Sequence, residues 1–362
     1  MADPGTPDWW LERLYRKLRE RQPLVRTWDE WYTGEHPAPQ GYEKAGTLFQ
    51  RLLETVGLNM LALVTDAGLD RMHLEGFKVN GRASDDVWDI WQANNFDRGF
   101  KMVLREKMAL SESYTLVDPN GGDVLLTPEH PEQCIVEMAP GSSRARAAAL
   151  KVWQDDLGDV PAIRAMLYLP DAVYSYSAPR RAYADGRAVL ALKPSWELQE
   201  DASGRNPLGE VPLIPFSNRS RMMRPPLPEF YPAIRPQRRI NKSLMDRMAM
   251  QDQGAFKAMW ATGVSIPEDP VTGQPVEPFK RAVDRSFISE DPNARFGQLE
   301  AEDIKQMLEA VRDDIADCAI VVPTSADQIL AKLVNVSGDG LKLAQVSEIK
   351  RVRERMSETD DP

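Results

Sequence analysis

Two long helical stretches bracket a proline-rich segment in the C-terminal third of this chain, and that arrangement constrains the fold more than any other feature. Gln237 to Ala261 has no internal breaker, and Ile240, Leu244, Met248, Ala255 and Met259 draw a narrow apolar stripe along it. Glu300 to Val321 repeats the pattern with Ile304, Leu308, Val311, Ile315 and Ala319, and stops before Pro323. At 1.5 Å per residue the two span roughly 37 and 33 Å. Such a matched pair predicts an antiparallel hairpin. Ile240, Leu244, Met248, Met259, Trp260, Ile304, Leu308 and Ile315 are its expected packing and subunit-interface residues. The segment between carries Pro267, Pro270, Pro275, Pro278 and Pro292. A connection that long is uncommon unless it is functional, so it reads as a small subdomain at the hairpin's tip.

Upstream, the pattern is helical and then changes period. Thr6 caps a first helix with Pro7 at its first position, and Leu11, Leu14, Tyr15 and Leu18 share one face. A second, short helix is expected over Leu24–Thr33, ended by Gly34. Leu48–Gly68, Asp85–Asn94 and Phe100–Glu112 read as further helices. Short segments rich in β-branched and aromatic residues follow: Tyr114–Asp118, Val124–Thr127, Cys134–Met138, Ala148–Gln154, Ile163–Leu169, Ala172–Ser177, Val189–Leu192 and Trp196–Gln199. They predict an antiparallel meander behind a helical layer, an α+β fold. Pro207 to Pro236 holds eight prolines, dense enough to read as a stiff joint before the long helix. Residues 323–340 read as a polar loop around Ile329–Val336, and a last helix begins near Leu341.

Charge and motifs narrow the function. Lys and Arg number 45 against 55 Asp and Glu, a net charge of −10, which argues against a protein that grips phosphate along a backbone. No run of about 18 apolar residues is present to cross a bilayer. Met1 to Trp10 does not read as a signal peptide, so an intracellular protein is expected. Cys134 and Cys318 are too far apart in sequence for a zinc-ligand cluster. Phosphate-binding glycine motifs and a nucleophile elbow are missing, and Gly338-Asp339-Gly340-Leu341-Lys342 has neither their spacing nor their hydroxyl. His36, His73 and His130 stand without a second ligand at metal spacing. Most of the nine tryptophans recur at helical spacing beside leucines, a pattern of core or subunit packing rather than base stacking. No catalytic group, cofactor site or metal site is expected.

Four stretches resemble tailed-bacteriophage portal proteins of the type common in siphophages of Gram-positive and actinobacterial hosts. The first runs from Leu58-Asn59 through Asp70-Arg71 to Glu75-Gly76-Phe77. The second is Trp88 to Asp97, followed by Ala109 to Val117. The third, and most specific, is Gly209 to Phe216 with Asn218-Arg219, then Ile240-Asn241-Lys242 and Ala261-Thr262-Gly263. The fourth is Asn335 to Lys342. Two local departures stand out. Pro225-Pro226-Leu227-Pro228-Glu229 keeps only the acid of a Gly-x-Ser-Glu string, and Arg238-Arg239 stand near the place of an aspartate. The chain also stops after one C-terminal helical stretch, so the family's crown is expected to be missing.

The resemblance implies a division of labour along the chain. Residues 1–229 would form a wing, 230–262 and 299–322 two stem helices, and 263–298 a clip at the stem's tip. Residues 323–340 would be a tunnel loop, and 341–362 the start of a C-terminal wing helix. It further implies a homo-oligomeric ring of about twelve copies at one capsid vertex, assembled in the host cytoplasm and carried in the virion. Double-stranded DNA would pass through it non-specifically, and no membrane is involved. The other implied partners are the terminase large subunit, a head-completion or adaptor protein, and the major capsid and scaffolding proteins. Twelve helices about 10 Å wide give a bore near 28 Å, enough for a duplex. Under this resemblance Glu302, Asp303, Glu309, Asp313 and Asp317 would line the bore, with Gln328, Lys332 and Asn335 in the loop. Phe279, Lys280, Arg281, Arg285 and Phe287 would meet the terminase or adaptor. Plain solvated faces and a small clip core explain the same residues equally well. Two other readings of the chain stay open: an α+β enzyme with an unrecognised site, and another ring-forming virion adaptor.

Overall fold

Helix α1 (Pro7–Thr33) organises the N-terminal half because it is long enough to serve two cores at once. Thr6 Oγ1 accepts from Trp9 N at 3.4 Å at its start, and Gly34 closes it in the left-handed conformation. One helix therefore replaces the two expected, running unbroken through Pro23. A proline inside a helix removes one hydrogen bond and crowds the preceding turn, at about 3 kcal/mol. Packing on both sides outweighs that cost: Leu14, Leu18, Gln22, Val25, Trp28 and Trp31 are all buried.

The computed structural model describes residues 3–39, 58–120, 122–157, 161–179, 194–255, 259–262, 295–298, 304–321, 338–357 and 359. After α1 come α2 (Met60–Leu69), a two-stranded ribbon of β1 (Lys78–Val79) and β2 (Arg82–Ala83), α3 (Asp85–Ala93) and α4 (Phe96–Leu110). The expected helix over Leu48–Gly68 lies in part outside the described residues, and so does the strand over Val189–Leu192.

The β region forms two sheets rather than one meander. Strands β5 (Cys134–Met138), β6 (Arg146–Asp155), β7 (Ala162–Tyr168), β8 (Ala172–Pro179) and β9 (Glu197–Arg205) pair in chain order, all antiparallel. Strands β3 (Glu112–Asn120) and β4 (Asp123–Glu129) form a second sheet with β10 (Leu213–Ser217), which pairs along β3 from Leu213↔Leu116 to Ser217↔Glu112. The proline joint concealed β10. Its Pro215 is tolerated because β10 is an edge strand, where a missing donor breaks no inner ladder.

The first half of α1 lies on the five-stranded sheet, its Leu11, Leu14, Tyr15 and Leu18 against Leu150, Val152, Ile163, Ala165 and Leu167. Its basic side clamps both sheets and the turn between them. Arg13 reaches Glu137 at 2.8 Å and Arg26 reaches Glu132 at 3.0 Å, while Arg21 pairs with Glu112 and donates to Tyr114 Oη at 2.7 Å. The second half of α1 packs with α2 and the end of α4 into a separate helical core. Leu14→Ala opens a cavity where the side chain has no exposure, so the urea midpoint should fall by the equivalent of about 2–5 kcal/mol. Leu157→Ala, at a fully exposed position, should stay within about 0.5 kcal/mol of the parent.

Candidate functional site

The helix pair is present: α5 (Ile234–Ala255) and α6 (Ile304–Val321), about 33 and 27 Å long at 1.5 Å per residue. Their bases are rooted in the helical core. Ile240 and Leu244 of α5 and Val311, Ile315 and Cys318 of α6 are buried there with Trp28, Trp31, Leu61 and Phe230. Charge across the pair fixes the antiparallel register. Arg239 binds Asp317 at 2.6 Å and Asp314 at 3.3 Å, and one turn on Ser243 Oγ donates to Asp314 at 3.0 Å. The hydrogen bond from Arg239 to Asp317, first among several causes, raises the guanidinium pKa further.

Not every expected packing residue lies on these helices. Met259 and Trp260 belong to β11 (Met259–Thr262), which pairs antiparallel with β12 (Arg295–Gln298). The helix ends at Ala255, with helix-weakening Gly254 in its last turn, so the apolar spacing that extended it to Ala261 was misleading. The segment expected to be irregular up to residue 298 thus ends in a strand. Met248 is half-buried, Leu308 is 38% exposed, and Ile304 opens α6.

The expected channel residues divide sharply. Glu309 and Asp313 are exposed on α6, opposite the buried Val311, Ile315 and Cys318, and share that face with exposed Lys305 and Arg312. Asp317 is turned to Arg239 instead. Glu302, Asp303, Gln328, Lys332 and Asn335 lie outside the described residues, and so do Phe279, Lys280, Arg281, Arg285 and Phe287. Helix α7 (Gly338–Ser357) begins inside the stretch expected to be a loop up to residue 340.

Below the pair lies a buried ionic junction that the sequence barely signals. Glu229, with no solvent exposure, precedes the 3₁₀ turn Tyr231–Ala233 that leads into α5. Its Oε2 accepts from Arg355 Nε at 2.8 Å and Asn218 Nδ2 at 3.2 Å, while Arg351 and Arg219 stand 3.6 and 3.7 Å from Oε1. Its own N–H donates to Met108 O of α4 at 2.7 Å. Buried Lys107 donates to Thr359 Oγ1 at 2.6 Å and to the Arg355 carbonyl at 3.2 Å, placing a cation at the end of α7. Gly68 leaves room for the approach, since a Cβ there would come within 3.3 Å of the Arg351 guanidinium. Burial acts to raise the Glu229 pKa, but Arg355 and Arg351 outweigh it and hold the carboxyl below its ordinary range.

A second buried polar chain seats α5. Gln237 accepts from Met60 N at 3.0 Å and donates to Leu58 O and Asn241 Oδ1, both at 2.8 Å. Asn241 Nδ2 lies 2.9 Å from His36 Nδ1, and His36 Nε2 lies 3.1 Å from Trp31 O. Burial lowers the His36 pKa. The neutral imidazole with its proton on Nε2 satisfies both contacts.

Other titratable and nucleophilic groups among the described residues are scattered. Burial pushes the Cys318 thiol up to about 11 and the Cys134 thiol well above its ordinary range, so neither is a ready thiolate. Burial, followed by Asp29, raises Glu106 to about 7, and His130 stands 3.7 Å from it. Among the described residues no group of His, Cys, Asp and Glu is arranged to hold a metal ion, and no helix is long and apolar enough to cross a membrane.

A sequence model of the family described as phage portal protein, SPP1 Gp6-like, matches residues 11–358. The chain belongs to the phage portal protein family. It is similar to the portal protein of Mycobacterium phage D29, 24% identical over 380 residues that cover 98% of this chain and 72% of that one. It is also similar to the portal protein of Mycobacterium phage L5, 24% identical over 329 residues that cover 84% of this chain and 62% of that one. The chain therefore spans between three-fifths and three-quarters of the length of these portal relatives. The match takes in both sheets, the helix pair and most of the ionic junction.

Removing the Glu229 charge leaves Arg351 and Arg355 buried beside an uncharged partner. Glu229→Gln should cost about 3–5 kcal/mol at pH 7, read from urea midpoints. The carboxyl pKa is depressed in the folded state, so its stabilisation is present above the unfolded value of about 4.3 and is lost as pH falls through the lower, folded value. The gap between parent and variant should accordingly be constant above about pH 5 and shrink below it.

Proposed function

We propose that the chain is a structural conduit: a portal ring at one capsid vertex through which double-stranded DNA enters and leaves, without chemistry of its own. The observation that carries this reading is the family match from residue 11 to 358 together with an antiparallel helix pair rooted in the core that it covers. The pair has the length of a channel wall, and its bases are held by ion pairs rather than by apolar contacts alone. In this reading α5 and α6 are the stem, the segment between them is the clip, and residues 1–229 with α7 are the wing.

Glu309 and Asp313, with Glu302 and Asp303, would face the bore and repel phosphate, so that DNA slides without sticking. Lys305 and Arg312 on the same face moderate that repulsion. Asp317 has a different task, tying α6 to Arg239. Gln328, Lys332 and Asn335 would lie nearest the duplex. Phe279, Lys280, Arg281, Arg285 and Phe287 would meet the terminase during packaging and a head-completion protein afterwards. Exposed Leu308 and half-buried Met248 suit packing between neighbouring stems.

Light scattering and negative-stain images of the purified chain should give a mass about twelve times that of one chain and a ring with a central hole. A monomer or a closed dimer at every concentration contradicts the conduit reading. Within assembled particles, reversing Asp303, Glu309 and Asp313 to Lys should slow packaging and strengthen DNA retention on the ring. Packaging at the parent rate contradicts a repulsive lining.

A further inference from the structure

An exposed finger at the end of β10 has the composition of an interface anchor and its methionines have no covering partner among the described residues. Asn218 and Leu227 close its base through two hydrogen bonds, Leu227 N to Asn218 O at 3.2 Å and Asn218 Nδ2 to Leu227 O at 3.0 Å. Arg221 and Arg224 bridge at its tip around Met222 and Met223. Those two methionines are 95% and 100% exposed, and Met223 is held at a φ of 59°, a strained value for a side-chain-bearing residue. Pro225 and Pro226 stiffen the return strand. Two long apolar side chains are thus fixed in water between two exposed arginines that make no ion pair with described residues. Methionine and arginine are the types enriched where protein surfaces meet.

The complementary surface lies at the other end of the same layer. Helix α4 ends at the finger, where Met108 O accepts from Glu229 N and Ser111 O accepts from Asn218 N. It begins about 20 Å away at α3, whose Asn94 hydrogen-bonds Val124 and Leu126 of β4. Helix α3 exposes Asp85, Asp86 and Asp89 with the apolar Ile90 among them. One end of the layer is basic and apolar, the other acidic and apolar.

We propose that the Arg221–Arg224 finger of one copy docks on the α3 face of the next, with Met222 and Met223 against Ile90 and the arginines against Asp86 and Asp89. Two unlike patches on one molecule make a head-to-tail contact, the kind that closes into rings, whereas a self-complementary patch stops at a dimer. This contact rests on the ring reading above and gives it a wing-level joint distinct from the stem.

Cysteine pairing tests it. Cys134 and Cys318 are buried, so added surface thiols report alone. Met222→Cys chains mixed with Ile90→Cys chains should cross-link on mild oxidation, while either variant alone should not. The chain carrying both substitutions should give a ladder running up to the full ring. Separately, Arg221→Asp with Arg224→Asp should lower the association constant about tenfold or more, and adding Asp86→Arg with Asp89→Arg should restore it. If the parent forms rings but no 222–90 cross-link appears, the contact is wrong and the conduit reading stands. The same holds if cross-links stop at dimers, or if the arginine variants assemble normally and lose only DNA binding. If the parent never forms rings, both fail.

Discussion

A carboxylate without access to water must find opposite charge, and Glu229 finds it on two separate parts of the chain. Arg219 follows β10, Arg351 and Arg355 lie on α7, and the same residue's backbone is held by the end of α4. Burying one charge alone costs several kcal/mol, so once Glu229 is inside, the arginines must follow. Each arginine brings its element with it. Glu229 sits two residues before the 3₁₀ turn Tyr231–Ala233, and α5 starts directly after that turn at Ile234. The direction in which α5 leaves the helical core is therefore set by ionic contacts at its foot. Gln237 and Asn241 then fix its rotation through hydrogen bonds to Leu58, Met60 and His36.

How much of this was legible depended on whether a signal was local. The capped start of α1, the five strands from Cys134 onward, and the two long helices follow from capping residues and hydrophobic period, although α5 ends six residues before the expected Ala261 and β9 runs six residues past the expected Gln199. Pro23 and Pro215 were misread for one reason. A proline's local cost is visible in sequence, whereas the packing that outweighs it in α1, and the edge position that removes it in β10, are tertiary. The Met259–Trp260 stretch failed in the opposite direction. An apolar period that continues past Gly254 looks helical, but the pairing with Arg295–Gln298 across a long connection has no local trace.

The junction itself was nearly invisible. Glu229 could be noticed as the surviving acid of a family string, but Lys107, Arg351 and Arg355 read as ordinary charges on helices. Only the i,i+4 spacing of the two arginines, flanking buried Val352, hinted that one face of α7 turns inward. The acidic surplus also changed meaning. Asp314 and Asp317 serve Arg239 across the helix pair, which leaves Glu309 and Asp313 as the outward acids among the described residues of α6.

The central claim is that one buried carboxylate couples the end of α4, the foot of α5 and α7. Amide hydrogen exchange on the parent and Glu229→Gln at pH 7 addresses it directly. Coupling predicts that protection falls together in three places: the end of α4 near Met108, the first turns of α5, and α7 around Arg351–Arg355. Loss confined to the residues beside 229, with α5 and α7 protected as in the parent, would contradict it.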